Sequence, residues 1–191
     1  MATGSSGSSR SPRPRDPRPE VSILRVGHRP GRDPRLTTHV ALAARAFGAR
    51  RMYLHPPDPA LADTVASVTR RWGGEFTVVP VDEWKSVVRS FPGPVVHLTM
   101  YGLPLERTLP RLARARQILL VVGGAKVPSG LYRSATYNVA VGHQPHSEVA
   151  AVAVTLERLL GLPRPVTAGR APLRIVPSAR GKRVVGGRAR T

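Results

Sequence analysis

The residues able to do chemistry gather in a few short segments. The densest is Gly27-His28-Arg29-Pro30-Gly31-Arg32-Asp33-Pro34-Arg35-Leu36-Thr37-Thr38-His39, in which Arg29, Arg32 and Arg35 recur at intervals of three. They directly follow an apolar run, Val21 to Val26. A planar guanidinium grips phosphate oxygens two at a time, so three of them at a strand end suit capture of phosphate or RNA. Pro30 and Pro34 stiffen that loop and pre-organise it. A second segment, Gly123-Gly124-Ala125-Lys126-Val127-Pro128, also follows an apolar run. Its paired glycines either let a backbone approach a ligand closely or simply turn the chain. In a third, Gly142-His143-Gln144-Pro145-His146-Ser147-Glu148, two histidines stand three residues apart. No further ligand follows at a metal-like spacing and Pro145 interrupts any helical face, so no metal site is expected. Ser147 reads as a helix N-cap and Glu148 as a first-turn acid, since no G-x-S-x-G accompanies them. Neither G-x-G-x-x-G nor G-x-x-x-x-G-K-[S/T] occurs, which leaves dehydrogenase and P-loop readings without support.

Alternating apolar runs and helical patterns position these segments. Strands are predicted at 21–26, 51–54, 76–79, 94–99, 117–122 and 137–141. Helices are predicted from an N-cap at Thr37 or Thr38 to Phe47, at 60–72, at 83–90, at 104–116 and at 147–160. Strands that are continuous apolar runs separated by helices imply an α/β fold, a mostly parallel sheet covered on both faces. Ligands bind such sheets beyond the carboxyl ends of the strands. Three predicted strand ends carry unusual loops there: Leu98-Thr99-Met100-Tyr101-Gly102, the Gly123–Pro128 segment and the Gly142–Ser147 segment. Leu173–Pro177 and Lys182–Val185, flanking Ser178-Ala179-Arg180-Gly181, predict a separate β-hairpin.

The charge has a clear direction along the chain. Among 191 residues, 30 Lys and Arg against 11 Asp and Glu leave a net charge of +19, which favours a polyanionic partner, nucleic acid first. Residues 1–20 read as a disordered basic tail in which Arg alternates with Pro. Residues 21–161 form the folded domain, and 162–191 a basic C-terminal extension carrying eight cations and no acid. That extension is either a solvated tail or an arm that touches phosphates. The lack of cysteine excludes disulfides, thiolate zinc and a cysteine nucleophile. No run approaches a membrane span and the Ser/Gly/Pro/Arg start holds no apolar signal core, so a soluble cytoplasmic protein without membrane contact is expected.

Several motifs together carry a family resemblance. Leu24-Arg25-Val26-Gly27-His28-Arg29-Pro30, continuing through Thr37-Thr38-His39-Val40 to Ala44-Arg45-Ala46-Phe47-Gly48-Ala49, resembles the archaeal tRNA (cytidine-56) 2′-O-methyltransferase family of the SPOUT class. So do His97–Gly102, Gly123–Pro128 and Tyr137–Ala150, over about residues 21 to 160 in all, and the 173–185 hairpin resembles the family's C-terminal extension. The resemblance implies a C-terminal trefoil knot, a homodimer, S-adenosylmethionine as cofactor and tRNA as partner. It implies 2′-O-methylation of a ribose, cytidine 56 of the T-loop. It also implies cofactor contacts from Leu98, Thr99 and Gly102, from Gly124, Ala125, Lys126, Val127 and Pro128, and from Val141, Gly142, His143, Gln144, Pro145 and His146. Many enzymes of the class carry a catalytic Arg on the first helix, five residues before a Phe-Gly pair, where this chain has Leu42. The catalytic Arg is therefore sought among Arg29, Arg32 and Arg35, with Arg45 ranked lower. Charge alone equally suits a non-enzymatic RNA-binding or ribosome-associated protein, and motif logic leaves open a SPOUT enzyme acting on another RNA site.

Overall fold

The computed structural model describes residues 18–32, 34–124, 127–163 and 171–186. Six strands, β1 (Glu20–Val26), β2 (Arg51–His55), β3 (Thr77–Pro80), β4 (Val95–Pro104), β5 (Gln117–Gly123) and β6 (Tyr137–Ala140), form one sheet. Their order is β3-β2-β1-β5-β4-β6 and every pairing is parallel. Six helices connect or follow them: α1 (Pro34–Ala46), α2 (Pro59–Trp72), α3 (Trp84–Ser90), α4 (Leu105–Leu112), α5 (Ser129–Ser134) and α6 (Glu148–Leu160). An antiparallel pair, β7 (Leu173–Ile175) and β8 (Val184–Gly186), stands apart from the sheet.

The period-two alternation of the strands builds two cores. Val21 and Ile23 of β1 with Ile118, Leu120 and Val122 of β5 face α1, α2, α4 and α6, whose Val40, Ala44, Leu61, Leu105, Val152 and Leu156 complete the larger cluster. Leu24, Val26, Leu119 and Val121 face the other way, onto Trp84 and Val88 of α3 and Leu131 of α5. Covering both faces is what lets the central strands be apolar throughout.

Helix ends follow local chemistry. The Asp58 carboxylate accepts from the Leu61 amide, with Pro59 in the first turn of α2. Ser147 likewise accepts from the Val149 amide at the start of α6. Gly73 and Gly161 end these two helices at φ of 75° and 76°, a conformation that favours glycine.

Four local expectations need correction. α1 begins at Pro34, so Thr37 and Thr38 lie inside the helix rather than at its N-cap; the Thr37 hydroxyl is engaged by a histidine from the preceding loop. α4 stops at Leu112, where the Arg114 and Ala115 amides reach back only three residues, to Arg111 and Leu112. β4 runs on to Pro104 rather than ending near Thr99. The short helix α5 was not expected at all. The tail reading for residues 1–20 falls chiefly outside the described residues.

Candidate active site at the carboxyl edge of the sheet

Because all six strands are parallel, the carboxyl ends of β1, β5, β4 and β6 share one edge. β1 and β5 finish level, Val26 beside Gly123. β4 is irregular: Leu98 and Leu103 both stand opposite Val139, so Thr99 to Gly102 bulge out of the ladder. Beyond these ends lies a cavity of about 380 Å³. β4 and its bulge supply His97, Leu98, Thr99, Met100 and Tyr101, the β5 end and the turn after it Val122, Gly123, Gly124 and Val127, and α5 Tyr132. The loop into α6 and that helix supply Val141, His146, Glu148 and Ala151.

The expected residues distribute unevenly. Leu98, Thr99, Gly124, Val127, Val141 and His146 line the cavity. Gly102, Pro128, Gly142, His143, Gln144 and Pro145 do not, although the Gly102 carbonyl accepts from His143 Nε2 at 3.1 Å and ties two of the loops together. Ala125 and Lys126 lie outside the described residues. Arg29 and Arg32 are exposed on the loop beyond β1, where the Arg32 amide donates to the Arg29 carbonyl at 3.1 Å. Arg35 is exposed in the first turn of α1. None of the three joins the cavity wall. Arg45 points elsewhere, donating to Thr69 Oγ1 and the Gly73 carbonyl at the opposite end of the strands.

The Arg-bearing loop is anchored at its base. His28 is buried, its amide donates to the His55 carbonyl at 3.0 Å, and its ring bridges two helices. Nε2 lies 3.0 Å from Asp58 Oδ2 and Nδ1 2.9 Å from Thr37 Oγ1. An ionised carboxylate only accepts, so Nε2 carries a proton and donates to Asp58. The bond from His28, then that from the Leu61 amide, holds the Asp58 carboxyl below its ordinary range.

A polar network stiffens the cavity wall. The Asn138 amide nitrogen donates to the Tyr132 carbonyl at 2.9 Å, which turns its oxygen toward His97 Nδ1, also at 2.9 Å. Nδ1 is therefore the donor. The Tyr132 ring meets His97 edge-on with centroids 4.7 Å apart, and its hydroxyl lies 3.2 Å from Thr99 Oγ1. Burial pushes the His97 imidazole below its ordinary range, against the raising effect of the Asn138 bond.

Sequence reasoning missed His97, Tyr132, Arg25 and Glu148. Arg25 is 1% exposed, on the α6-facing side of β1, and its Nε lies 3.3 Å from Glu148 Oε2. A signal for it exists: Val21, Ile23 and Arg25 share one face, and a charge on a helix-covered face needs a partner. Among the described residues no three His, Asp or Glu side chains converge as a metal site would require.

Comparison with known proteins decides the family. The profile described as tRNA ribose 2′-O-methyltransferase, aTrm56, matches residues 72–185. A tRNA (cytidine(56)-2′-O)-methyltransferase of Archaeoglobus fulgidus is 49% identical over 166 residues, 87% of this chain and 98% of that one. The chain belongs to the tRNA ribose 2′-O-methyltransferase family. A second such relative, from Thermococcus kodakarensis, is 47% identical over 86% of this chain and 96% of its own. Solved structures agree on the fold. An RNA 2′-O ribose methyltransferase superposes with a TM-score of 0.57 at 14% identity, covering 81% of this chain and 60% of that one. The SpoU methyltransferase AviRb of Streptomyces viridochromogenes, in complex with AdoMet, gives 0.54 at 16% identity over 75% and 58%. The chain thus spans about 60% of the length of these larger structures.

Proposed function

We propose that this protein binds S-adenosylmethionine in the cavity beyond β4, β5 and β6 and methylates the 2′-hydroxyl of cytidine 56 in tRNA. One observation carries the reading: the β4 bulge, the Gly123-Gly124 turn and the loop before α6 converge on a single cavity in a chain of this family. The walls suit the donor. Leu98, Val122, Val127, Val141 and Ala151 offer an apolar surface for adenosine. The described wall holds one carboxylate, Glu148, and no Lys or Arg, which favours a cationic ligand over a phosphate-bearing one. When bound, the donor supplies an electrophilic methyl group on a positively charged sulfur.

The chain must then bring a ribose hydroxyl to it. Arg29, Arg32 and Arg35 serve this purpose from the neighbouring loop: one guanidinium holds the adjacent phosphate and stabilises the developing oxyanion, and the others bind RNA. Recognition rests on RNA shape, phosphates and 2′-hydroxyls. The active form is a homodimer, in which a second copy covers Tyr101 and Leu103, 77% and 57% exposed beside the cavity. The segment from β4 through β6 is read as the trefoil-knotted part of the domain, residues 162–191 as an RNA-facing extension, and the protein as cytoplasmic. No helix among the described residues is long and apolar enough to cross a membrane.

The test is methyl transfer to an unmodified tRNA transcript followed by mapping of methylated riboses. A single methylated ribose at position 56 is expected, lost when that nucleotide is replaced by 2′-deoxycytidine. Tight RNA binding without cofactor binding or transfer would instead establish a non-enzymatic RNA-binding protein. Methylation at another position would make this a SPOUT enzyme of different target.

A further inference from the structure

The Arg25–Glu148 pair is unusual for its cost. Arg25 sits one residue before the end of β1 with its guanidinium buried under α6. Nη1 donates to the Val26 carbonyl at 2.6 Å and Nε lies 3.3 Å from Glu148 Oε2. The Glu148 side chain, 18% exposed, reaches the cavity wall while Arg25 stays behind it. The bare face of Gly124 opens onto both groups. A Cβ there would come within 3.9 Å of Glu148 Oε1 and 4.0 Å of Arg25 Nη2. A buried ion pair is a poor source of stability, because desolvating two charges offsets their attraction and a packed apolar pair serves as well. The pair does something an apolar pair would not: it presents a carboxylate to the cavity. In a chain of net charge +19, that carboxylate stands on a described wall without Lys or Arg.

We propose that Glu148 receives the cationic methionine half of the methyl donor, and that Arg25 is a positioning residue that holds the Glu148 carboxylate at the wall. The inference rests on the donor-pocket reading above. The ordinary alternative is that Glu148 is only a first-turn acid favoured by the α6 dipole. The two differ in which ligands feel the change. S-adenosylmethionine carries a sulfonium and an α-ammonium. 5′-Methylthioadenosine has the same adenosine on a neutral thioether, with neither cation.

Calorimetry on the full chain separates them. Glu148→Gln is expected to weaken S-adenosylmethionine binding on the order of tenfold to a hundredfold, the scale of one charge-assisted hydrogen bond. Binding of 5′-methylthioadenosine should change little. Arg25→Met should reproduce this selective loss, Arg25→Lys should restore part of it, and the double variant should lose no more than either single one. Transfer kinetics should show a raised KM for the donor with tRNA affinity unchanged. S-adenosylhomocysteine, which keeps only the ammonium, assigns the contact: it follows the donor if the ammonium is held and 5′-methylthioadenosine if the sulfonium is. Should Arg25→Met fail to fold, Glu148→Gln and Arg25→Lys still decide. Equal loss of both ligands, or of neither, in a folded Glu148→Gln variant overturns the inference and leaves the pocket standing. A wild-type chain that binds neither ligand overturns the pocket itself.

Discussion

Replacing Arg29, Arg32 and Arg35 one at a time by Lys keeps the charge and removes the planar fork. One variant is expected to lose single-turnover rate at saturating RNA and donor with RNA affinity nearly kept, and the other two to show the reverse. Near-normal rates in all three would move the catalytic group to an Arg of a second subunit, since Arg45 lies at the opposite end of the strands. The same scale holds a pH dependence. Burial depresses the His97 imidazole, so between its folded value and the ordinary one near 6.5 the unfolded chain binds more protons than the folded one. Stability then rises with pH, and is lost as pH falls below about 6.5. The Asp58 carboxyl, also depressed, contributes above the ordinary carboxylate range and loses this only at lower pH, below about 4. Thermal melts from pH 8 to pH 5 should therefore drop more steeply for the wild type than for His97→Gln; parallel curves would show that His97 is not the group titrating. Sequence made the arginines conspicuous because they are clustered and exposed. It hid His97 and Arg25 inside apolar strands, where only the partner across the fold, Asn138 or Glu148, reveals what a polar group is doing.

Among the elements, β4 is the one that makes the site. A regular strand would pair residue for residue with β6; instead Thr99 to Gly102 leave the ladder and form a wall. Gly102 permits this, since a Cβ there would overlap the backbone of Asn138 and Val139. A backbone obstacle cannot swing aside as a side chain can. Gly102→Ala is therefore expected to cost about 1–3 kcal/mol of stability and to weaken donor binding with it. Gly124→Ala, whose added methyl meets only ordinary contacts, should fold normally. A chemical-denaturation curve for each variant checks the contrast, and equal stabilities would mean the bulge relaxes freely. The six strands were legible because each is a short apolar run closed by Gly, Pro or a polar turn. The bulge was not, because all four of its residues read as a loop and its pairing partner lies some 36 residues later, Leu103 against Val139. α5 escaped for a related reason: six residues hold too little pattern for a helix, and Leu131 commits it by joining the core cluster that holds Val26 and Val121.

At the scale of the molecule, the basic surface and the described cavity wall are kept apart. The described cavity wall holds no Lys or Arg, while the hairpin exposes Arg174 on β7 and Arg180, Lys182 and Arg183 on the loop to β8. β7 lies against α2, so the hairpin is attached to the domain rather than trailing from it. A tRNA seated with its ribose at the cavity extends well beyond the domain, and a basic surface on an attached arm can follow its backbone. Each phosphate a cation neutralises releases counterions, which makes affinity fall with salt by about one logarithmic unit per contact. Replacing these four cations together by Gln leaves the strands and their pairing intact. The log–log salt slope for tRNA binding should then flatten by up to about four units, with donor affinity untouched. Methyl transfer at low salt and saturating tRNA should survive, because the arm contributes encounter and grip rather than chemistry. An unchanged slope in the folded variant would show that the hairpin faces solvent, and would place the RNA on the Arg29–Arg35 loop and the α1 side of the domain alone.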